Sequence, residues 1–186
     1  MTDWHSIAAT AYNERKAQQV IPELANVLAF LNLRPIQRVL EIGTHDAGAL
    51  WAWGQLTPDD GQVFAVDQTD ENIRPENLAD LAPRDVRVFV GDSTDPQTVA
   101  GVKAALTGPV DFLFIDGDHG REAVPADFQA WRGLVAPGGV IGFHDIRIAA
   151  REGWLDTLDS LDDVMVVEFE KRDDNDMRCG IGLLLL

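Results

Sequence analysis

Five short, largely apolar runs recur along the chain, and each stops at a polar or acidic residue: "RVLEIG" (38–43), "QVFAVD" (62–67), "VRVFVGD" (86–92), "VDFLFID" (110–116) and "GVIGFHD" (139–145). Their apolar residues are mostly consecutive rather than alternate, the pattern of strands covered on both faces. Segments with helical spacing separate them, at about 48–56, 72–81, 96–107 and 122–134. A β-α-β-α order of this kind predicts a parallel sheet with helices packed on both sides.

The two ends depart from that rhythm. Apolar residues at Ile7, Ala11, Val20, Leu24, Val27, Leu28 and Leu31 have helical spacing and predict one or two helices over 7–32. Beyond a helix near 148–160, "DVMVVEFEK" (163–171) and "RCGIGLLLL" (178–186) read as strands separated only by the polar stretch "RDDNDM". A parallel pair needs a crossover of a dozen residues or more, so these two strands should be antiparallel. The expectation is one α/β domain over 1–186, with an N-terminal helical segment (1–33) and a Rossmann-like core (34–186). Its sheet would be doubly wound and seven-stranded, parallel except for one reversed C-terminal strand.

Charge narrows the partners. Fifteen Lys and Arg against 31 Asp and Glu leave a formal net charge of −16, and no basic cluster interrupts it. Nucleic-acid binding draws on cations that displace phosphate counterions, so DNA and RNA are poor partners for this surface. No apolar stretch is long enough to span a membrane. The start, Met1-Thr2-Asp3-Trp4-His5, lacks the basic and apolar regions of a secretion signal, and Cys179 is the lone cysteine. Both features fit a cytoplasmic, reducing environment. Cys179 falls within the last apolar run and reads as a strand residue.

In open α/β sheets, ligands bind beyond the carboxyl ends of the strands. The runs here end in Glu41 with Gly43, Asp67, Asp92, Asp116 and His144-Asp145, while His45 and His119 follow closely. Any one of these acids could simply cap a helix; as a set, they define one polar rim. The first turn, "EIGTHDAGAL", has two glycines in a G-x-x-x-x-G spacing rather than the G-x-G-x-x-G of dinucleotide enzymes. Asp67, at the end of the second strand, is placed to accept ribose hydroxyls, and Asp92-Ser93 ends the third strand where an adenine amine would lie.

Taken in order, "VLEIGTHDAGAL", "VFAVDQ", "VFVGDS", "DFLFIDGDH", "LVAPGGVIGFHD" and the final strand pair resemble a class I S-adenosylmethionine-dependent methyltransferase from about residue 20 to 186. Over about 110–146, "FIDGDHGREAVPADFQAW" and "GGVIGFHD" are similar to small-molecule O-methyltransferases related to macrolide-sugar methyltransferases and cephalosporin hydroxylase-like proteins. The resemblance implies that Glu41, Gly43 and Gly48 line the methionine part of S-adenosylmethionine, Asp67 its ribose, and Asp92 with Ser93 its adenine. His45 is either a contact to the cofactor carboxylate or an exposed loop residue, and Thr44, Gln68 and Asp116 complete the expected cofactor set. In metal-dependent members, acids at the ends of the fourth and fifth strands hold Mg²⁺. The matching residues are Asp116, His144 and Asp145, and His144 departs from the usual acid. Oxygen-seeking Mg²⁺ is disfavoured by that exchange relative to Mn²⁺.

The expected activity is O-methylation of a small hydroxylated metabolite such as a sugar or a phenol. His119, with Asp116 beside it, is the candidate base; the alternative for His119 is a loop-ordering hydrogen bond, and for Asp116 and Asp145 helix capping. A nicotinamide oxidoreductase and a non-catalytic cofactor-binding relative are the competing functions. Trp51, Trp53, Trp131 and Trp154 fall on helical segments and read as helix–sheet packing. Gly138-Gly139 reads as a turn feeding the fifth strand, and Trp4-His5 as a lid over the pocket. The short insertions near the C terminus leave either an open site or one completed by a second copy in a homo-oligomer.

Overall fold

Val39, Phe112, Phe114, Val140 and Leu183 are buried in one apolar cluster, while Leu40, Leu113, Ile115, Ile141 and Leu184 are buried in another. Successive residues of one strand thus enter opposite cores, which is why the runs are apolar at every position. The computed structural model describes residues 2–172 and 178–186. The central "DDNDM" of the "RDDNDM" connection lies outside the described residues.

The elements in chain order are α1 (Trp4–Asn13), α2 (Ile21–Leu31), β1 (Arg38–Ile42), α3 (Gly48–Gly54), β2 (Gln62–Asp67), α4 (Pro75–Ala79) and β3 (Asp85–Val90). They continue with α5 (Pro96–Ala105), β4 (Val110–Ile115), α6 (Ala123–Trp131), a 3₁₀ turn (Arg132–Leu134), β5 (Val135–Phe143), α7 (Arg151–Asp159), β6 (Met165–Phe169) and β7 (Ile181–Leu185). The seven strands form one sheet in the order β3-β2-β1-β4-β5-β7-β6. Pairing is parallel from β3 through β5, and β7 runs antiparallel to both β5 and β6.

Helices α1, α2 and α3 contribute Ala8, Leu24, Leu28, Leu31 and Trp53 to one core. On the opposite face, α5, α6 and α7 contribute Val102, Phe128, Trp131 and Trp154. Trp53 packs on both Phe112 and Phe114, with ring centroids 5.1 and 4.8 Å away. Truncating a ring buried so fully costs about 3–5 kcal/mol. Local signals set the helix starts: Asp3 accepts from the amides of His5 and Ser6, and Pro75 and Pro96 occupy first-turn positions where no amide hydrogen is needed.

Three expectations change. Trp4 begins α1 and packs on the α1–α2 side of the core; neither Trp4 nor His5 lines the cavity described below. Pro137, Gly138 and Gly139 lie inside β5, where the ladder with β4 shifts register between Val110 and Phe112, so they shape an irregular strand rather than precede one. Cys179 lies ahead of β7 and is buried.

Strand register positions the site. Ile42 of β1 pairs with Val66 of β2 and Ile115 of β4, and Ile115 pairs with Phe143 of β5. The residues that follow, Gly43, Asp67, Asp116 and His144, therefore stand side by side at the carboxyl rim. The strand order reverses between β1 and β4, the switch point at which such sheets open a crevice.

Candidate active site

A cavity of about 500 Å³ opens at that crevice, within the range that small ligands and cofactors occupy. Gly43, Thr44, His45, Gly48, Asp67, Gln68, Ser93, Asp116 and His119 line it, so most of the rim residues singled out in the sequence share one space. Gly43 has φ +79°, and a Cβ there would run into the backbone of Asp116 and Gly117. Only glycine meets both demands. His45 and Ala47 are also left-handed, at φ 45° and 61°. Asp67 offsets part of that strain: its Oδ2 accepts from the amides of Thr44 and His45, both at 2.9 Å. Its Oδ1 accepts only a longer bond from the Thr69 amide, 3.3 Å, and retains acceptor capacity toward the cavity.

Gly48 also lines the cavity, and a close backbone approach requires it. A Cβ on it would meet the backbone of Arg15 and Ala17, in the loop between α1 and α2. Lys16, Ala17, Gln18 and Gln19 of that loop form a wall of the cavity. Asn77, fully buried, ties the wall down by donating to the carbonyls of Arg15 (2.9 Å) and Asp46 (2.8 Å). The wall carries no periodic signal of its own, because the segment is irregular.

Two expected cofactor residues lie outside the cavity lining. Glu41 is buried beneath the turn, where it accepts from Thr44 Oγ1 (2.5 Å) and Trp53 Nε1 (3.0 Å). Burial pushes its carboxyl up to about 8, the charges of Asp116 and Asp67 adding to the shift while the two hydrogen bonds oppose it. Asp92 turns back on its own loop and accepts from the amide and hydroxyl of Thr94 at 2.8 and 2.7 Å, bonds that hold it below the usual carboxylate range. Its neighbours Gly91 and Ser93 reach the cavity instead. Ser93 donates to Asp127 of α6 at 2.5 Å, a buried acid absent from the sequence reading whose carboxyl burial pushes up.

At the other end, acids and imidazoles interlock. His119 Nε2 and His144 Nδ1 lie 3.2 and 3.0 Å from Asp116 Oδ1, and Gln19 donates to Asp116 Oδ2 at 2.6 Å. Asp145 reaches His119 Nδ1 at 3.4 Å and His144 Nδ1 at 3.3 Å. Burial would raise Asp116, but the charge on His144 and hydrogen bonds from both imidazoles hold it below its ordinary value. The Asp116 bond raises His119 against burial. For His144, burial acts downward, and Asp116, Cys179 and Asp145 outweigh it, leaving the imidazole well above its ordinary value.

The expected metal set, Asp116, His144 and Asp145, is brought together, since His144 contacts both acids. Two overlapping triads bring one donor atom from each member within 4.8 Å of one another: Asp116, His119 and His144, then His144, Asp145 and Cys179. An imidazole common to both fits Mg²⁺ poorly and suits a transition ion.

Residues 40–146, more than half of the chain and spanning the whole rim from Glu41 to Asp145, match a family described as a methyltransferase domain. The chain belongs to this methyltransferase family, and its fold is that of the class I S-adenosylmethionine-dependent methyltransferases. Solved structures share the fold of this methyltransferase at low identity. The O-methyltransferase TomG from Streptomyces achromogenes, involved in tomaymycin synthesis and solved with SAM, superposes with TM-score 0.74 at 19% identity, over 100% of this chain and 90% of its own. An O-methyltransferase from Bacillus cereus solved with SAH gives 0.73 at 18%, covering 98% and 89%. MycE, from the mycinamycin biosynthetic pathway and solved with Mg and SAH, gives 0.67 at 19%; 99% of this methyltransferase matches 54% of that longer chain. No described helix of the methyltransferase is long and apolar enough to cross a membrane.

Proposed function

We propose that the chain methylates a hydroxyl oxygen of a small molecule, with S-adenosylmethionine as donor. One observation carries this: Gly43, Asp67 and Asp116, from three different strands, open onto a single cavity with His119 at the same wall. The spare acceptor capacity of Asp67 suits ribose hydroxyls, and Gly91 with Ser93 forms the far end suited to the adenine. Gly43 lets the turn approach a ligand without a side chain in the way. Thr44, His45 and Gln68 line the space between.

Bound S-adenosylmethionine supplies an already activated methyl group on its sulfonium. The protein is left with two tasks, alignment of the acceptor oxygen and removal of its proton. His119 suits the second: it lines the cavity and is flanked by carboxylates of Asp116 and Asp145, which stabilise the imidazolium formed on taking the proton. A divalent cation held by Asp116, His144 and Asp145 would lower the acceptor hydroxyl's pKa, with Mn²⁺ suiting these donors better than Mg²⁺. The similar structures from tomaymycin synthesis and the mycinamycin pathway support a small acceptor, for which we propose a sugar or a phenol, and the net charge of −16 argues against nucleic acid.

Calorimetry with S-adenosylhomocysteine should show saturable binding that Asp67→Ala removes. Failure of the wild type to bind, or tighter binding of NADH in a parallel thermal-shift comparison, would refute the proposal.

A further inference from the structure

Behind His119, three donors of different kinds meet out of contact with the cavity. His144 and Asp145 follow β5, and antiparallel pairing of β7 on β5 brings the approach to β7 alongside them: Phe143 pairs with Gly182, and the amides of Ile146 and Arg147 donate to the carbonyls of Gly180 (3.3 Å) and Cys179 (2.9 Å). From beneath, Glu23 of α2 accepts from the amides of Gly180 at 3.0 Å, Lys171 at 3.1 Å and Cys179 at 3.4 Å. Backbone bonds on two sides thus fix Cys179 against His144 and Asp145. All three residues are buried, at 4%, 8% and 6% exposure for His144, Asp145 and Cys179, and none lines the cavity.

The cluster is under-satisfied. His144 Nε2 is buried and makes no hydrogen bond of good geometry, although the Cys179 thiol acts on the imidazole from close by. Asp145 Oδ1 is likewise buried without one, although it lies 3.3 Å from His144 Nδ1 in a geometry that makes no hydrogen bond. Each such atom costs about 1–3 kcal/mol, and folded proteins retain few that do not serve a ligand or water. One nitrogen, one oxygen and one sulfur within 4.8 Å of each other form a donor set for borderline divalent ions, not for magnesium.

We propose that His144, Asp145 and Cys179 form a transition-metal site that takes Zn²⁺ or a similar borderline ion and discriminates against Mg²⁺. Binding would need the Cys179 thiol and the His144 imidazolium each to give a proton to solvent, leaving a thiolate and a neutral imidazole as ligands. The site draws on His144 and Asp145, which the proposed reaction also assigns to its cation, but it lies out of contact with the cavity and so goes beyond that reading: an ion held with Cys179 sits behind the reacting groups. Nothing in metal binding itself depends on methyl transfer.

Titration of chelator-treated, full-length protein with Co²⁺ tests it. The expected result is a saturable, one-to-one thiolate-to-cobalt charge-transfer band, lost in Cys179→Ala, displaced by equimolar Zn²⁺ and unchanged by excess Mg²⁺. Absence of Co²⁺ binding, binding without a thiolate band, or displacement by Mg²⁺ would each overturn the site. Circular dichroism of Cys179→Ala and of the milder Cys179→Ser must match wild type; a band that persists in either folded variant also overturns it. S-adenosylhomocysteine calorimetry on the same samples separates the two readings, because a wild type that shows the band yet binds no S-adenosylhomocysteine refutes the methyltransferase proposal and leaves the metal site standing.

Discussion

Replacing Glu41 with glutamine isolates the cost of burying a carboxyl group beneath the first turn. Glu41 is 1% exposed, and its oxygens meet Thr44 Oγ1 and Trp53 Nε1. Its folded-state pKa of about 8 stands above the ordinary 4.5 of an unfolded chain, so the folded state holds a proton that the unfolded state releases. The sign follows from linkage: stability from this group is complete below the unfolded value and is lost as pH rises toward and through the folded one. At about 1.4 kcal/mol per unit, integrated with both titrations, wild type loses about 3–4 kcal/mol from this group between about pH 5 and about pH 8. Glutamine keeps the size, accepts from Trp53 through its carbonyl, donates to Thr44 through its amide, and does not titrate. Urea unfolding of both proteins at the two pH values measures the effect as a change in their difference, with all other groups common to both. Glu41→Gln should gain on wild type as pH rises. A difference that stays constant across the range would mean that Glu41 is ionised in the folded protein at neutral pH, and the account of the turn's buried support would fail.

Three further outcomes follow from contacts elsewhere. Gly43→Ala sets a Cβ against the Asp116 backbone at φ +79°, so it should lower the unfolding temperature and abolish S-adenosylhomocysteine binding; wild-type calorimetry in this variant would show that the turn has room it is not expected to have. Glu23→Ala deprives the amides of Lys171, Cys179 and Gly180 of their acceptor and should cost about 2–4 kcal/mol in urea unfolding, whereas a loss below about 0.5 kcal/mol would show that those amides find other partners. His119→Ala should reduce turnover by about a hundredfold or more with cofactor affinity unchanged; in wild type, turnover should rise with pH through a midpoint above the ordinary histidine value, and a flat profile would remove His119 as the base.

Sheet order and the shared rim were legible because both derive from burial. A strand covered on two faces must be apolar at every position, and a chain leaving it must become polar at the edge, so the runs ending at Asp67, Asp116 and His144 announced both the strands and their meeting line. What the sequence conceals is where a rim side chain turns once it arrives. Glu41 and Asp67 both belong to strand ends, yet Glu41 lies one residue before its strand stops and points into the core beneath the turn, while Asp67 is the last residue of β2 and reaches the amides of that turn. Asp92 sits after β3 but finds a nearer donor in Thr94, two residues on, and local bonding of that kind competes with ligand binding without changing any sequence pattern. Cys179 was hidden for the opposite reason. Its run reads as one strand, whereas the chain straightens only at Ile181, after Gly180 at φ +80°. That left-handed step lets the Cys179 carbonyl bond the Arg147 amide while its thiol joins the group around His144. A Gly180→Ala substitution should therefore act on the metal site from outside it: the added Cβ meets Arg147 and Ile146 side chains, and the Co²⁺ thiolate band should weaken while Asp67-dependent S-adenosylhomocysteine binding persists. Equal loss of both signals would instead place Gly180 among the residues that hold the whole rim.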